Sequence, residues 1–213
     1  MIPEAEKHFR FLPRSVINTT LVAADRLSFL FVRLKISPNT LTILGLLAGI
    51  AVGLCYALER AGLAAAFIII CGFFDILDGK VAKNANRKSL FGAIFDSSLD
   101  RYSEFFMLMG LAYHFRRGWG VWLVFFTFLG STMVSYTRAR AEGLGIDCNV
   151  GIMQRAERLL LLFGGTIVGL VFKVFDPAVL AVVAFIGVIS NFTAVQRVFH
   201  VRTIERNGLP KEE

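Results

Sequence analysis

FFDILDGKVAKNANRKSLFGAIFDSSLD, residues 73–100, carries four aspartates (Asp75, Asp78, Asp96 and Asp100) inside segments that otherwise read as membrane-spanning. A carboxylate near the bilayer centre costs about 2.5–3.5 kcal/mol on insertion scales, so four of them need compensation. Asp75 and Asp78 are three residues apart, Asp96 and Asp100 four. On helices each pair therefore looks out from one face. Two such faces turned toward each other make an acidic cluster, which requires cations, either divalent metals or protons.

The surrounding chain sets the environment. Of its 213 residues 55% are hydrophobic, with a mean hydropathy of +0.63, too apolar for a soluble domain of this size. The 21 Phe and 19 Gly suit a lipid-facing exterior with close helix contacts. Cys55, Cys71 and Cys148 are widely spaced, which argues against a disulfide framework or a zinc site. The start, MIPEAEKHFRFLPRS, is polar and lacks the short apolar core of a signal peptide.

Hydropathy predicts six spans, at residues 38–58, 63–83, 90–115, 119–139, 156–174 and 177–199. Each is about 20 residues, enough for ~30 Å of hydrocarbon. Before them, Val16, Leu21, Leu27, Leu30, Phe31 and Leu34 alternate with Asp25, Arg26, Arg33 and Lys35, the pattern of an amphipathic helix lying at the membrane interface. The expected organisation is an N-terminal segment (1–36), a six-helix domain (37–200) and a cytoplasmic tail (201–213). Of the 23 Lys and Arg, only Arg60, Arg116, Arg117 and Lys173 fall on the far side of this topology. By the positive-inside rule, both termini and the aspartates face the cytoplasm of a cell membrane. The net charge of +7 is therefore sided, suited to anionic headgroups and phosphorylated substrates rather than to nucleic acid.

As a pattern the central stretch is D-x2-D-G-x2-A-K-x8-G-x3-D-x3-D, on Asp75, Asp78, Gly79, Ala82, Lys83, Gly92, Asp96 and Asp100. It resembles the signature of the CDP-alcohol phosphotransferase family, which has arginine where this chain has Lys83. Lysine meets a phosphate as a point charge but lacks the planar bidentate fork. The resemblance implies an all-α membrane fold of six spans around a cytoplasm-facing polar cleft, a homodimer, and transfer from a CDP-lipid to an alcohol. Phosphoryl chemistry of this kind needs metal to neutralise the diphosphate, and four carboxylates can hold two Mg²⁺ or Mn²⁺ ions. By resemblance Asp75, Asp78 and Asp96 are metal ligands, while Asp100 is both a ligand and the candidate general base. Gly79, Ala82 and Gly92 would let the nucleotide approach the backbone. SPNTLTILG (Ser37–Gly45) resembles a further family segment, with Asn39 and Thr42 as CDP-lipid contacts; Ser37 or Asn39 also suits a helix N-cap ahead of the span.

The acceptor is read from arginines. SYTRARAEGLG (135–145) ends the fourth span, QRAERL (154–159) begins the fifth, and AVQRVFHVR (194–202) lies in the sixth. Arg138, Arg155, Arg158 and Arg197 are expected near the aspartate side, with Glu142 and Glu157 offsetting part of their charge. Positive-inside anchoring explains some of them. A group of guanidiniums beside one cleft also suits a phosphate-bearing acceptor. These segments resemble the prokaryotic phosphatidylinositol-phosphate synthases, which implies inositol 1-phosphate as acceptor; Gln154 and Ala156 depart from their usual Glu and Pro. Glycerol 3-phosphate is the alternative within the family. Intramembrane prenyltransferases and cation transporters also use membrane-embedded acids, but neither needs Gly79, Ala82 and Gly92 at these offsets.

Overall fold

The protein's structure, a computed structural model, describes residues 14–87 and 89–206. Residues 1–13, Lys88 and 207–213 lie outside the described residues, as do the side chains of Val16 and Leu21. The described residues form seven helices and no strand: α1 (Arg14–Arg33), α2 (Pro38–Ala57), α3 (Ala61–Asn84), α4 (Leu90–His114), α5 (Gly120–Glu142), α6 (Arg155–Val171) and α7 (Phe175–Arg206). The amphipathic segment and the six apolar segments each became one helix. α7 continues to Arg206, through the expected start of the tail.

Four helices, α2, α3, α5 and α7, are long and apolar enough to cross a membrane, so the chain is an integral membrane protein. The other two expected spans are polar or short. α4 carries Asp96, Asp100, Arg101 and Glu104 among its residues 90–104. α6 has 17 residues and opens with Arg155, Glu157 and Arg158.

Small residues decide how the helices pack. α2 carries Gly45, Gly49 and Gly53 at four-residue spacing, on one face. A Cβ on Gly49 would overlap the Ser103 side chain, and one on Gly53 the Phe106 carbonyl. α2 is thereby the centre of one three-helix unit, packed on α3 and α4. α7 is the centre of a second, packed on α5 and α6, with α3–α6 and α4–α5 contacts joining the two. Thr127 Oγ1 donates to the Val183 carbonyl at 2.8 Å between α5 and α7. Tyr56 and Thr166 share a 2.6 Å hydroxyl contact between α2 and α6.

α1 lies on α3. Phe31 and Val32 pack against buried Leu77 and Val81, Lys80 Nζ reaches Asp25 Oδ1 at 2.6 Å, and Asn84 Nδ2 donates to Ser28 Oγ at 2.7 Å. Its outer side leaves Phe29 and Leu30 exposed. The helix ends share one device. After α1, α2, α3 and α6 the chain turns through a positive φ at Lys35, Glu59, Asn86 and Lys173. In each, the next residue's N–H bonds back to a carbonyl five residues earlier, as Arg87 does to Ala82 at 2.9 Å.

Candidate functional site

The last turns of α3 and the first half of α4 face each other, which brings the four aspartates to one place. Asp78 is buried and accepts from Thr42 Oγ1 at 2.9 Å, so the start of α2 is tied to the acid. Asp96 stands opposite, close enough for the two carboxyls to interact. Among the described residues neither takes part in an ion pair. Asp75 and Asp100 share a partner instead: Arg155 Nη2 lies 3.3 Å from Asp75 Oδ1, and its Nη1 contacts Asp100 Oδ1. Arg155 projects from the first turn of α6, where Glu157 Oε2 accepts from the Gln154 N–H at 2.9 Å and closes the helix start.

No three acidic, His or Cys side chains among the described residues stand together as a ready-made metal cage. Arg155 occupies the place between two of the acids. The donor set nevertheless suits a hard divalent cation: four carboxylates on facing helices, two of them facing one another outside any direct ion pair among the described residues. Arg155 and Arg101 offset part of the charge, and four acids in an apolar surround still leave an excess of negative charge that such an ion would stabilise.

Beside the acids lies a cavity of about 260 Å³ lined by Asn39, Thr42, Asp78, Gly79, Ala82, Gly92 and Asp96. These are seven of the residues expected from the motif and its upstream segment. A Cβ on Gly79 would meet no atom within 4 Å, so that side of α3 opens into free space. Ser37 takes the N-cap position of α2 without a side-chain bond, and Pro38 follows it.

The sequence pattern of the CDP-alcohol phosphatidyltransferases matches residues 35–195, which include every element of this site. The chain belongs to that family. Among its relatives, the archaetidylinositol phosphate synthase of Methanothermobacter thermautotrophicus is 36% identical over 170 residues, covering 79% of this chain and 85% of the relative. That of Pyrococcus horikoshii is 34% identical, covering 84% and 90%. The phosphatidylinositol phosphate synthase of Mycobacterium tuberculosis is 31% identical, covering 84% and 87%. The crystal structure of the M. tuberculosis synthase with CDP-DAG bound superposes with a TM-score of 0.77 at 29% identity, over 84% of this chain and 94% of that one. A second structure of it, in complex with manganese and citrate, gives 0.75 at 27% identity, over 84% and 89%.

As a member of this transferase family the chain has the aspartates and the cavity gathered as its motif requires, but the arginines divide. Of the four expected arginines only Arg155 reaches the acids, where Arg101 of α4 joins it, its Nη1 3.6 Å from Asp100 Oδ2. Arg158 is buried and held by Glu104, with Nε–Oε1 at 2.6 Å and Nη2–Oε2 at 2.9 Å. Arg197 is buried too; its Nε donates to the Val150 carbonyl at 2.8 Å and its Nη1 to the Val134 carbonyl, which fastens the 143–154 connection to α5 and α7. Arg138 is on the surface, paired with Glu142 at 2.7 Å one helical turn on. Lys83 is exposed and does not line the cavity. Arg87 and Ser89 do. The sequence reading passed over them and Glu104. For Glu104 a signal existed, since it continues the Asp96–Asp100 face by four more residues. For Arg87 there was none, because the turn after α3 sets its place.

Proposed function

We propose that this protein transfers the phosphatidyl group of CDP-diacylglycerol to a phosphorylated polyol, inositol 1-phosphate before others, with release of CMP. The observation that carries this reading is Arg155: a guanidinium from α6 set among the acids of α3 and α4, beside a nucleotide-sized cavity. The inositol phosphate common to the names of the relatives supports the acceptor. Glycerol 3-phosphate would use the same chemistry.

In this reading Asn39, Thr42, Gly79, Ala82 and Gly92 receive the CDP moiety, with Arg87 and Lys83 supplying positive charge at its edge. Asp75, Asp78, Asp96 and Asp100 would hold two Mg²⁺ or Mn²⁺ ions, which when bound neutralise the diphosphate and the departing CMP. Arg155 takes the acceptor phosphate, and Arg138 stands at the rim of the same face. Arg158 and Arg197 act from behind, through α6 and the 143–154 connection. Drawing Arg155 onto a phosphate would free the Asp100 carboxylate to accept the acceptor hydroxyl's proton. The hydroxyl oxygen then bonds to the phosphorus next to the lipid, and the bond to CMP's phosphate breaks.

Six spans complete the proposed topology, with α4 and α6 crossing as the inner, polar members and α1 lying in the interface on its exposed Phe29 and Leu30. Both termini and the cleft face the cytoplasm of the cell membrane, and the enzyme works as a homodimer. The test is CMP release by purified protein with CDP-diacylglycerol and Mg²⁺, comparing inositol 1-phosphate, glycerol 3-phosphate, free inositol and serine. Release with inositol 1-phosphate alone supports the reading. Release with free inositol or serine overturns the acceptor class.

A further inference from the structure

α4 and α6 are joined by two polar rungs. Asp100 and Glu104 are one turn apart on α4, and Arg155 and Arg158 one turn apart on α6. The outer rung, Asp100–Arg155, lies beside Asp75, which Arg155 also contacts. The inner rung, Glu104–Arg158, is bidentate, with Arg158 only 4% exposed. Two parallel N–H···O bonds fix direction as well as distance. Arg158 faces a cavity of about 20 Å³, space for about one water and far too little for a phosphate. Its place on α6 relative to α4 is set by Glu104.

We propose that Glu104 is a positioning residue for acceptor binding: by holding Arg158 with both carboxylate oxygens it fixes the first turn of α6, and so where Arg155 stands beside Asp75 and Asp100. This rests on the reading that Arg155 meets the acceptor phosphate. Glu104 does not line the cavity of the CDP moiety and pairs with Arg158, while its charge is felt at Asp75 through space. Its effect should fall on the acceptor and pass through Arg155.

The experiment uses the full-length protein in lipid nanodiscs, with Glu104→Gln and Glu104→Asp made in the wild-type and Arg155→Lys backgrounds. KM is measured for acceptor and CDP-lipid, Mn²⁺ affinity by electron paramagnetic resonance without substrates, and folding by thermal unfolding. Glu104→Gln should raise the acceptor KM about tenfold, with the CDP-lipid KM within about twofold and Mn²⁺ bound at least as tightly as by the wild type. On Arg155→Lys the same change should add no more than about twofold, because neighbours acting through one contact are not additive. Glu104→Asp, which keeps the charge and shortens the arm, should give a smaller rise with the same selectivity.

Equal rises in both KM values, loss of Mn²⁺ binding, or full additivity with Arg155→Lys would overturn the proposal. If Glu104→Gln does not fold, an unchanged acceptor KM in folded Glu104→Asp overturns it as well. A wild-type enzyme that prefers another phosphorylated acceptor discards inositol phosphate but leaves this test intact with that acceptor. One that uses an unphosphorylated alcohol defeats both.

Discussion

Arg155 occupies ground that a divalent cation would contest, and replacing it should move two affinities in opposite directions. Its Nη2 stands 3.3 Å from Asp75. At an effective dielectric of about 20, a pair at that distance is worth roughly 5 kcal/mol before desolvation. Desolvation of two partly buried charges takes back most of this. A residue of about 1–2 kcal/mol corresponds to a factor of five to thirty in an equilibrium constant. In Arg155→Gln the acids lose a competing cation, so Mn²⁺ should bind about five- to thirtyfold more tightly, while acceptor affinity falls by at least as much. Titrating Mn²⁺ into substrate-free protein by electron paramagnetic resonance gives the first number, and inositol 1-phosphate calorimetry the second. Unchanged or weaker Mn²⁺ binding would refute the reasoning, because the guanidinium would then not be holding the acids against an ion.

Asp78→Asn and Asp96→Asn should each abolish turnover while thermal unfolding stays near wild type, since each relieves acid repulsion, and Asp75→Asn should abolish turnover while also losing the Arg155 contact; a full-rate Asp96→Asn enzyme would end the metal assignment. Gly79→Ala should fold as well as wild type, because its Cβ meets nothing within 4 Å, yet raise the CDP-lipid KM by crowding the cavity. Gly53→Ala should do the reverse, costing about 1–3 kcal/mol of stability where its Cβ overlaps the Phe106 carbonyl. If the two glycine variants behave alike in thermal unfolding and KM, the division between packing and ligand glycines fails. Lys80 holds the Asp25 carboxyl below the usual carboxylate range. The α1–α3 contact should thus be complete at neutral pH and weaken only as pH falls below that range, which spin-label distances between α1 and α3 would follow.

The apolar segments and the acid spacing were enough to place the helices and to put two pairs of aspartates on facing surfaces, since both follow from periodicities of 3.6 residues and ~20-residue spans. Helix ends were less legible. The turns after α1, α2, α3 and α6 put Lys35, Glu59, Asn86 and Lys173 in the left-handed region, where glycine is the usual marker. Arg87 depends on one of those turns, so its arrival at the cavity had no local sign. The arginines were the hardest to read. Arg138, Arg155, Arg158 and Arg197 are alike as letters on the same membrane side, and only three-dimensional partners distinguish them: two acids for Arg155, Glu104 for Arg158, carbonyls for Arg197. Partners 54 residues away, as for Arg158 and Glu104, leave no trace in local spacing.

The two three-helix units meet along α3–α6 and α4–α5 and are connected in the chain only through residues 115–119. Every aspartate of the motif comes from the first unit and every arginine of the proposed acceptor side from the second. On the proposed reading, chemistry and choice of alcohol sit mainly in different halves of the chain, coupled through Asp100–Arg155 and Glu104–Arg158. A chimera spliced at that connection would, on the same reading, exchange one headgroup for another only where both of those pairs are kept.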